Sequence, residues 1–204
     1  MNNYAGKFVS PETAAKLVCP GDWVDYGFGG GFPELMDRAL AARKDEVRDV
    51  KIRGGLVIRP RIEVVECDPE MESFSYYSWH IGDYERKLQS RGLCQFMPMI
   101  LRYLPDLYRR HIRVDVAFVP VSRPDENGYC GLGISNYAWR VIFENARTVI
   151  FEINEHLPDC RGWTVPTGCI CPRRTISWRA STSRCPCAPI RSRRRWRSRS
   201  QSTW

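Results

Sequence analysis

Two glycine-bearing loops hold the residue types from which a ligand site could be built. The first is Gly27-Phe28-Gly29-Gly30-Gly31, which follows a short apolar run and precedes Pro33. Residues without side chains can bring backbone N–H groups against an oxyanion, a carboxylate or a phosphate. A helix opened by Pro33 would add the field of its N-terminus. The spacing matches neither GxGxxG nor the P-loop, and no nicotinamide signature is present. A tight turn explains the same residues. The second loop is Pro120-Val121-Ser122-Arg123-Pro124-Asp125-Glu126-Asn127-Gly128-Tyr129-Cys130-Gly131-Leu132-Gly133, just beyond the end of an apolar run. Ligands bind at such strand ends in open α/β sheets, although Pro124-Asp125 and Asn127-Gly128 are also ordinary turn formers. The candidate lining residues are therefore Gly29, Gly30, Gly31, Ser122, Asp125 and Gly128.

Asn154-Glu155-His156 offers an acid and a base for proton transfer, but a solvated loop is the favoured reading. His80, between Trp79 and Ile81, reads as packed, and His111 has no visible partner. No paired cysteine–histidine or serine–histidine arrangement stands out, and no bound metal or cofactor is expected in the first 161 residues.

The elements that would position these residues alternate between strand and helix. Ser10-Pro11-Glu12 carries the marks of a helix start, with a Ser cap, Pro at the first position and an acid in the first turn; this helix would run to about Val18. Residues 23–28 read as a strand. A helix from Pro33 to about Lys44 presents Leu35, Met36, Ala39 and Leu40 on one face. Residues 50–58 read as the next strand, which completes a strand–helix–strand unit of the parallel kind. Further on, a strand at 74–79, a polar helix at 82–91, apolar strands at 114–121 and 148–154 and a helix at 136–146 are predicted. Strands this apolar belong where helices cover both faces of a sheet. The expected fold class is α/β, a largely parallel sheet with flanking helices.

The charge is divided unevenly along the chain. The formal net charge is +8 over 204 residues. Residues 1–161 hold 21 Lys+Arg against 23 Asp+Glu, while residues 162–204 hold ten Arg and no acid. The basic character that would suggest a nucleic-acid partner thus resides wholly in the tail. The tail has four Trp, four Cys and seven Ser but no Leu, Phe, Tyr or Met, and no periodicity. It admits three readings. Arg191 to Ser200 could neutralise phosphates while Trp196 stacks on a base. Cys169, Cys171, Cys185 and Cys187 could bind zinc, although the spacing is CxC rather than CxxC. The favoured reading is an out-of-frame translation. Shifting the frame by one base from Trp163 can yield a string containing HMSEADYIVEG, in which acids, leucines and strand-like runs return. The expected organisation is an incomplete domain over 1–161 and an out-of-frame, disordered basic tail over 162–204, with too little apolar surface to offset its ordering entropy.

The first ten residues show no targeting signal, and no apolar run approaches the roughly 18 residues of a membrane span. A cytoplasmic location is expected. Cys19, Cys67, Cys94, Cys130 and Cys160 lack pairing or metal spacing, so reduced and mostly buried thiols are expected there.

Taken in order, residues 8–160 resemble the acetyl-CoA hydrolase/transferase family, especially its butyryl-CoA:acetate and 4-hydroxybutyrate CoA-transferases. The resemblance is carried by Ser10-Pro11-Glu12-Thr13-Ala14, Gly21-Asp22-Trp23-Val24-Asp25-Tyr26-Gly27, Asp49-Val50-Lys51-Ile52-Arg53-Gly54-Gly55, Ser78-Trp79-His80-Ile81 with Glu85-Arg86-Lys87, the loop from Val121 to Tyr129, and Val149 through Pro158. It implies an enzyme of two parallel α/β domains with ping-pong chemistry. A glutamate would attack an acyl-CoA, and the CoA thiolate would then form a glutamyl-CoA thioester. It also implies coenzyme A as substrate, with an acyl-CoA and a small carboxylic acid (acetate, butyrate or 4-hydroxybutyrate) as partners. Neither a membrane nor a specific nucleic acid is implied, and homo-oligomerisation of the full-length protein stays open. The family glutamate belongs to a C-terminal domain, and no carboxylate in residues 1–161 sits in a matching motif, so no catalytic residue is assigned. The glycine loop and the Ser122–Gly128 loop would line the acyl or CoA site at the domain interface. Acyl-CoA hydrolysis and nucleic-acid binding through the tail are the alternatives.

Overall fold

The computed structural model describes residues 9–58, 61–122, 129–158, 160, 169–170 and 176–179. Six strands form a parallel sheet. They are β1 (Trp23–Phe28), β2 (Val50–Gly55), β3 (Phe74–Ser78), β4 (Gln95–Phe96), β5 (Val116–Val121) and β7 (Thr148–Ile153). Their spatial order is β4-β3-β2-β1-β5-β7. The chain thus builds outward from β1 to one edge, then returns to place β5 on the other side of β1. This reversal is a topological switch point, and it lies between β1 and β5.

Helices cover both faces. They are α1 (Pro11–Ala15), α2 (Glu34–Ala41), α3 (Glu63–Glu66), α4 (Asp83–Ser90), α5 (Leu104–Arg110) and α6 (Trp139–Asn145). The period-2 pleat divides the strand residues between two cores. Val24, Tyr26, Ile52, Tyr76, Val116, Phe118 and Ile150 pack with α1 to α4. Ala117, Val119, Val121, Val149 and Phe151 pack with α5 and α6. All six residues of β5 are buried, as expected of a central parallel strand.

A buried ion pair interrupts the second core. Asp25 and Arg53 stand side by side in the β1–β2 register. The Arg53 guanidinium pairs with the Asp25 carboxylate, donates to the Arg113 carbonyl at 2.9 Å and lies between the rings of Trp23 and Tyr108. The Tyr108 hydroxyl donates to Asp25 at 2.7 Å. Burial, the largest single influence, pulls the guanidinium pKa down, but the Asp25 carboxylate and Tyr108 together outweigh it and hold Arg53 above its ordinary value. This network fastens α5 to the sheet.

Several expectations need correcting. On α2 the buried positions are Met36, Asp37, Ala39 and Leu40, while Leu35 is exposed. The helix is rotated so that Asp37 can reach the next helix start. β2 ends at Gly55 rather than at residue 58, because Leu56 takes a φ of +48°. β4 and α5, within residues read only as connection, are additional elements. Of the five cysteines only Cys94 and Cys130 are buried; Cys67 is half-buried, and Cys19 and Cys160 are exposed. Cys19, Cys67, Cys94 and Cys160 are free thiols. Within the tail, β8 (Cys169–Ile170) pairs antiparallel with β6 (Tyr129–Cys130), and β9 (Ile176–Arg179) pairs antiparallel with β7. The tail sequence carries no strand pattern. The edge of β7 offers backbone N–H and C=O groups that pair regardless of side chain. The disorder expected for the rest of the tail falls outside the described residues.

Candidate functional site at the carboxyl edge of the sheet

The loops leaving β1, β2 and β3 meet at the carboxyl edge of the sheet, where β5 also ends. The glycine loop leaves β1 and is bound on two sides. The Gly29 amide donates to the Gly55 carbonyl at 3.1 Å, and the Gly31 amide to the Phe28 carbonyl at 3.1 Å. The segment after β6 closes over it, and the Ser135 hydroxyl donates to the Phe28 carbonyl. A Cβ at Gly31 would lie 2.7 Å from Ser135 Cβ, and one at Gly30 would lie 2.5 Å from Ile134 Cδ1. The bare faces of these two glycines are therefore taken up by the 134–135 segment. Among the described residues, the half-exposed Gly30 amide has no hydrogen-bond partner.

The N-terminus of α2 is also occupied. Its capping position is Pro33, which supplies no side-chain cap. Glu152, from the far end of β7, fills that role: its Oε2 accepts from the Met36 amide at 2.9 Å. The carboxylate is thus seated where an external anion would otherwise bind. Burial raises its pKa to about 7, against the lowering effect of hydrogen bonds from the Met36 and Leu35 amides. One turn into α2, Asp37 repeats the device and accepts from the Glu63 amide at 2.6 Å and the Val64 amide at 3.3 Å, which caps α3. Burial raises its pKa to about 7 as well.

A third buried carboxylate organises the neighbouring loops. Glu85 is wholly buried. Its Oε2 accepts from the Gly82 amide at 2.6 Å and the Val57 amide at 3.2 Å. Its Oε1 lies 3.1 Å from the Tyr76 hydroxyl and 2.8 Å from the Ser78 hydroxyl. The Leu56 amide donates to the His80 carbonyl at 2.7 Å. These bonds hold Leu56 in its left-handed conformation, a strained state for a residue with a Cβ. They also fix the course of the chain into Ile58, which is 66% exposed.

Ser122 is buried at the end of β5. Its hydroxyl accepts from the Gly131 amide at 2.8 Å and its own amide donates to the Gly131 carbonyl at 2.9 Å. It closes the base of the loop between β5 and β6. Asp125 and Gly128, in that loop, lie outside the described residues. His80 is exposed rather than packed, with its ring edge-on to Phe28 and Trp79, because its strand has already ended when the chain reaches it. Glu155 and His156 are exposed, as the loop reading expects. The structure thus brings Gly29–Gly31 and Ser122 to adjacent strand ends across the switch point and leaves Glu155 and His156 in solvent. Sequence reasoning missed Glu152, Asp37, Glu85 and Ser135. The available signal was a single acid within an otherwise apolar strand or on a helix face.

No described helix is long and apolar enough to cross a membrane. Among the described residues no group of three His, Cys, Asp or Glu could hold a metal ion. The candidate zinc ligands Cys171, Cys185 and Cys187 lie outside the described residues.

The fold and the crevice define a class: an open parallel α/β domain whose strand-end loops converge at a switch point. The comparisons narrow it. The profile of the acetyl-CoA hydrolase/transferase N-terminal domain matches residues 1–168. The chain belongs to that family. It is 38% identical over 160 residues to the butyryl-CoA:acetate CoA-transferase of Anaerostipes caccae, covering 78% of this chain and 36% of that one. It is 36% identical over 163 residues to a probable butyrate:acetyl-CoA coenzyme A-transferase of Syntrophomonas wolfei, covering 79% and 36%. The crystal structure of RipA from Yersinia pestis superposes with a TM-score of 0.69 at 24% identity, covering 78% of this chain and 39% of that one, and shares the fold. The chain therefore spans little more than a third of the length of these relatives.

Proposed function

We propose that this domain is one half of a CoA-transferase that moves CoA between a short-chain acyl-CoA and a carboxylic acid of the acetate, butyrate or 4-hydroxybutyrate class. The observation that carries this reading is that the β1 glycine loop and Ser122, at the end of β5, lie at adjacent strand ends across the switch point, in a chain of this family. The Gly29–Gly31 loop and the Ser122–Gly128 loop, with Asp125, would line the CoA-ester side of the crevice. A glutamate carried by a second domain would attack the thioester carbonyl and expel CoA thiolate. The thiolate would attack the resulting acyl-glutamyl anhydride, which releases the carboxylate and leaves glutamyl-CoA. The acceptor acid would reverse these steps. Backbone N–H groups of the domain would steady the tetrahedral oxyanions.

Of the seven buried carboxylates among the described residues, the three near the carboxyl edge, Glu152, Asp37 and Glu85, are each spent on backbone amides. None is free to act as a nucleophile, so this chain alone is expected to show no turnover. Residues 162–204 are read as out of frame. The abrupt change in composition supports this, as does alignment of the relatives over only 160 to 163 residues. The test is an exchange assay with labelled acetate and butyryl-CoA. The printed chain should transfer nothing. A version with the frame restored should form labelled acetyl-CoA and a borohydride-sensitive glutamyl-CoA. Release of free CoA without exchange would favour hydrolysis instead. Exchange by the printed chain would refute the assignment of the nucleophile to another domain.

A further inference from the structure

Two acids and a hydroxyl are buried together beneath α2, and no cation pairs with either acid among the described residues. Tyr26 of β1 and Asp37 of α2 are each 1% exposed, and Glu152 of β7 is 4% exposed. The Tyr26 hydroxyl makes no well-formed hydrogen bond among the described residues. Burial, and after it the Asp37 and Glu152 carboxylates, hold its proton more tightly than usual, so both acids act on this one hydroxyl. The surrounding cations are engaged elsewhere. Arg38 pairs with Glu34, Arg43 with Glu46, Lys44 with Asp68, Arg61 with Glu63 and Arg147 with Asp22. Glu34 and Glu63 face the two acids with like charge. The Cys67 thiol, pushed up by burial, stays neutral. On α1, Glu12 and Lys16 are exposed, as are Glu155 and His156 beyond β7. A carboxylate buried without a cation is costly. The Met36, Glu63 and Val64 amides offset part of that cost, and a proton removes the rest.

We propose that Tyr26, Asp37 and Glu152 form a proton-operated latch that docks α2 and α3 on the sheet when both acids are protonated and loosens them when the acids ionise. The attachments that matter pass through these side chains. Glu152 ties the start of α2 to β7, and Asp37 ties the start of α3 to α2. The Asp37 amide in turn donates to the Pro33 carbonyl at 2.9 Å, where the chain leaves the glycine loop. Loosening α2 therefore frees the downstream end of that loop, while the Gly29 bond to the Gly55 carbonyl holds its upstream end. An ionised acid gains by hydration, and water reaches it only when α2 or α3 lifts. The docked form binds more protons than the loosened one. Docking is thus strongest in acid, weakens as the pH rises toward neutrality, and levels off once both acids have ionised in place. The latch is independent of the CoA-ester reading.

The test is hydrogen exchange of the full chain between about pH 5 and about pH 8, corrected for the intrinsic pH dependence of exchange. Protection of the Met36, Glu63 and Val64 amides should fall roughly tenfold or more by about pH 7 and then level, while β2 and β3 keep theirs. The double variant Asp37→Asn with Glu152→Gln should keep those three amides protected across the whole range. Tyr26→Phe retains the ring and removes the hydroxyl, whose dipole favours the ionised form of Asp37. It should move the fall to higher pH. Protection that does not change with pH in the parent chain overturns the latch. So does a fall shared equally by β2 and β3, or one that persists in the double variant. If the double variant does not fold, Tyr26→Phe decides: a fall at an unchanged pH overturns the latch, and a fall moved upward supports it.

Discussion

At the scale of single residues, the carboxyl edge is governed by buried acids that cap backbone rather than by acids held ready for chemistry. Glu152 and Asp37 both have pKa values raised to about 7 by burial, from ordinary values of 4.5 and 3.8. Between those limits the folded chain binds more protons than the unfolded one. Their contribution to stability is therefore full at pH below about 4 and is lost as the pH rises through about 7. Glu152→Gln keeps an acceptor for the Met36 amide but cannot ionise. Urea unfolding from pH 5 to 8 should show a loss of stability with rising pH in the parent chain, and a slope reduced by roughly half in the variant. An unchanged slope would show that Glu152 does not titrate in this range. The glycine loop gives a second prediction. At Gly31 an added Cβ would meet the Cβ of Ser135, whereas at Gly30 it would meet the tip of an exposed isoleucine that can turn away. Gly31→Ala should cost about 1–3 kcal/mol by chemical denaturation, and Gly30→Ala less than about 1 kcal/mol.

At the scale of elements, Glu85 joins the loops after β2 and β3. Removing it leaves the Val57 and Gly82 amides and two hydroxyls without their shared acceptor. Glu85→Ala is expected to cost on the order of 3 kcal/mol. In hydrogen exchange it should release the amides of Leu56, Val57 and Gly82 while β5 and β7 keep their protection. Equal loss of protection across the sheet would contradict a local clamp. Much of this framework was legible in the sequence. The apolar runs at 114–121 and 148–154 read as buried parallel strands, and Ser10-Pro11-Glu12 marked α1, where the Ser10 hydroxyl accepts from the Thr13 amide at 3.2 Å. Other features had no local signal. β4 is two residues long and exposed, α5 is held by a contact between Tyr108 and Asp25 that is 83 residues apart in sequence, and the Leu56 conformation is imposed by His80, beyond the end of β3, and Glu85, on α4. The same holds for the site. The glycines and Ser122 were visible by type and position, whereas Glu152 comes to the start of α2 only when β7 is folded into the sheet.

At the scale of the whole molecule, the sheet order places the switch point between β1 and β5, in an acetyl-CoA hydrolase/transferase N-terminal domain. The acidic first part of the chain carries the whole parallel sheet, and the Arg-rich remainder contributes only β8 and β9 to the described structure. That division is what the frame-error reading explains: residues of globular composition, followed by residues with neither acids nor leucines. The most direct measurement is the DNA sequence of the source gene, read from codon 150 to about 120 bases past codon 204. The expected result is a single-base difference that restores a frame running on into a second α/β domain with a glycine-flanked glutamate. Confirmation of the printed frame, ending at Trp204, would contradict the transferase reading for this chain and leave its basic tail to be explained on its own terms.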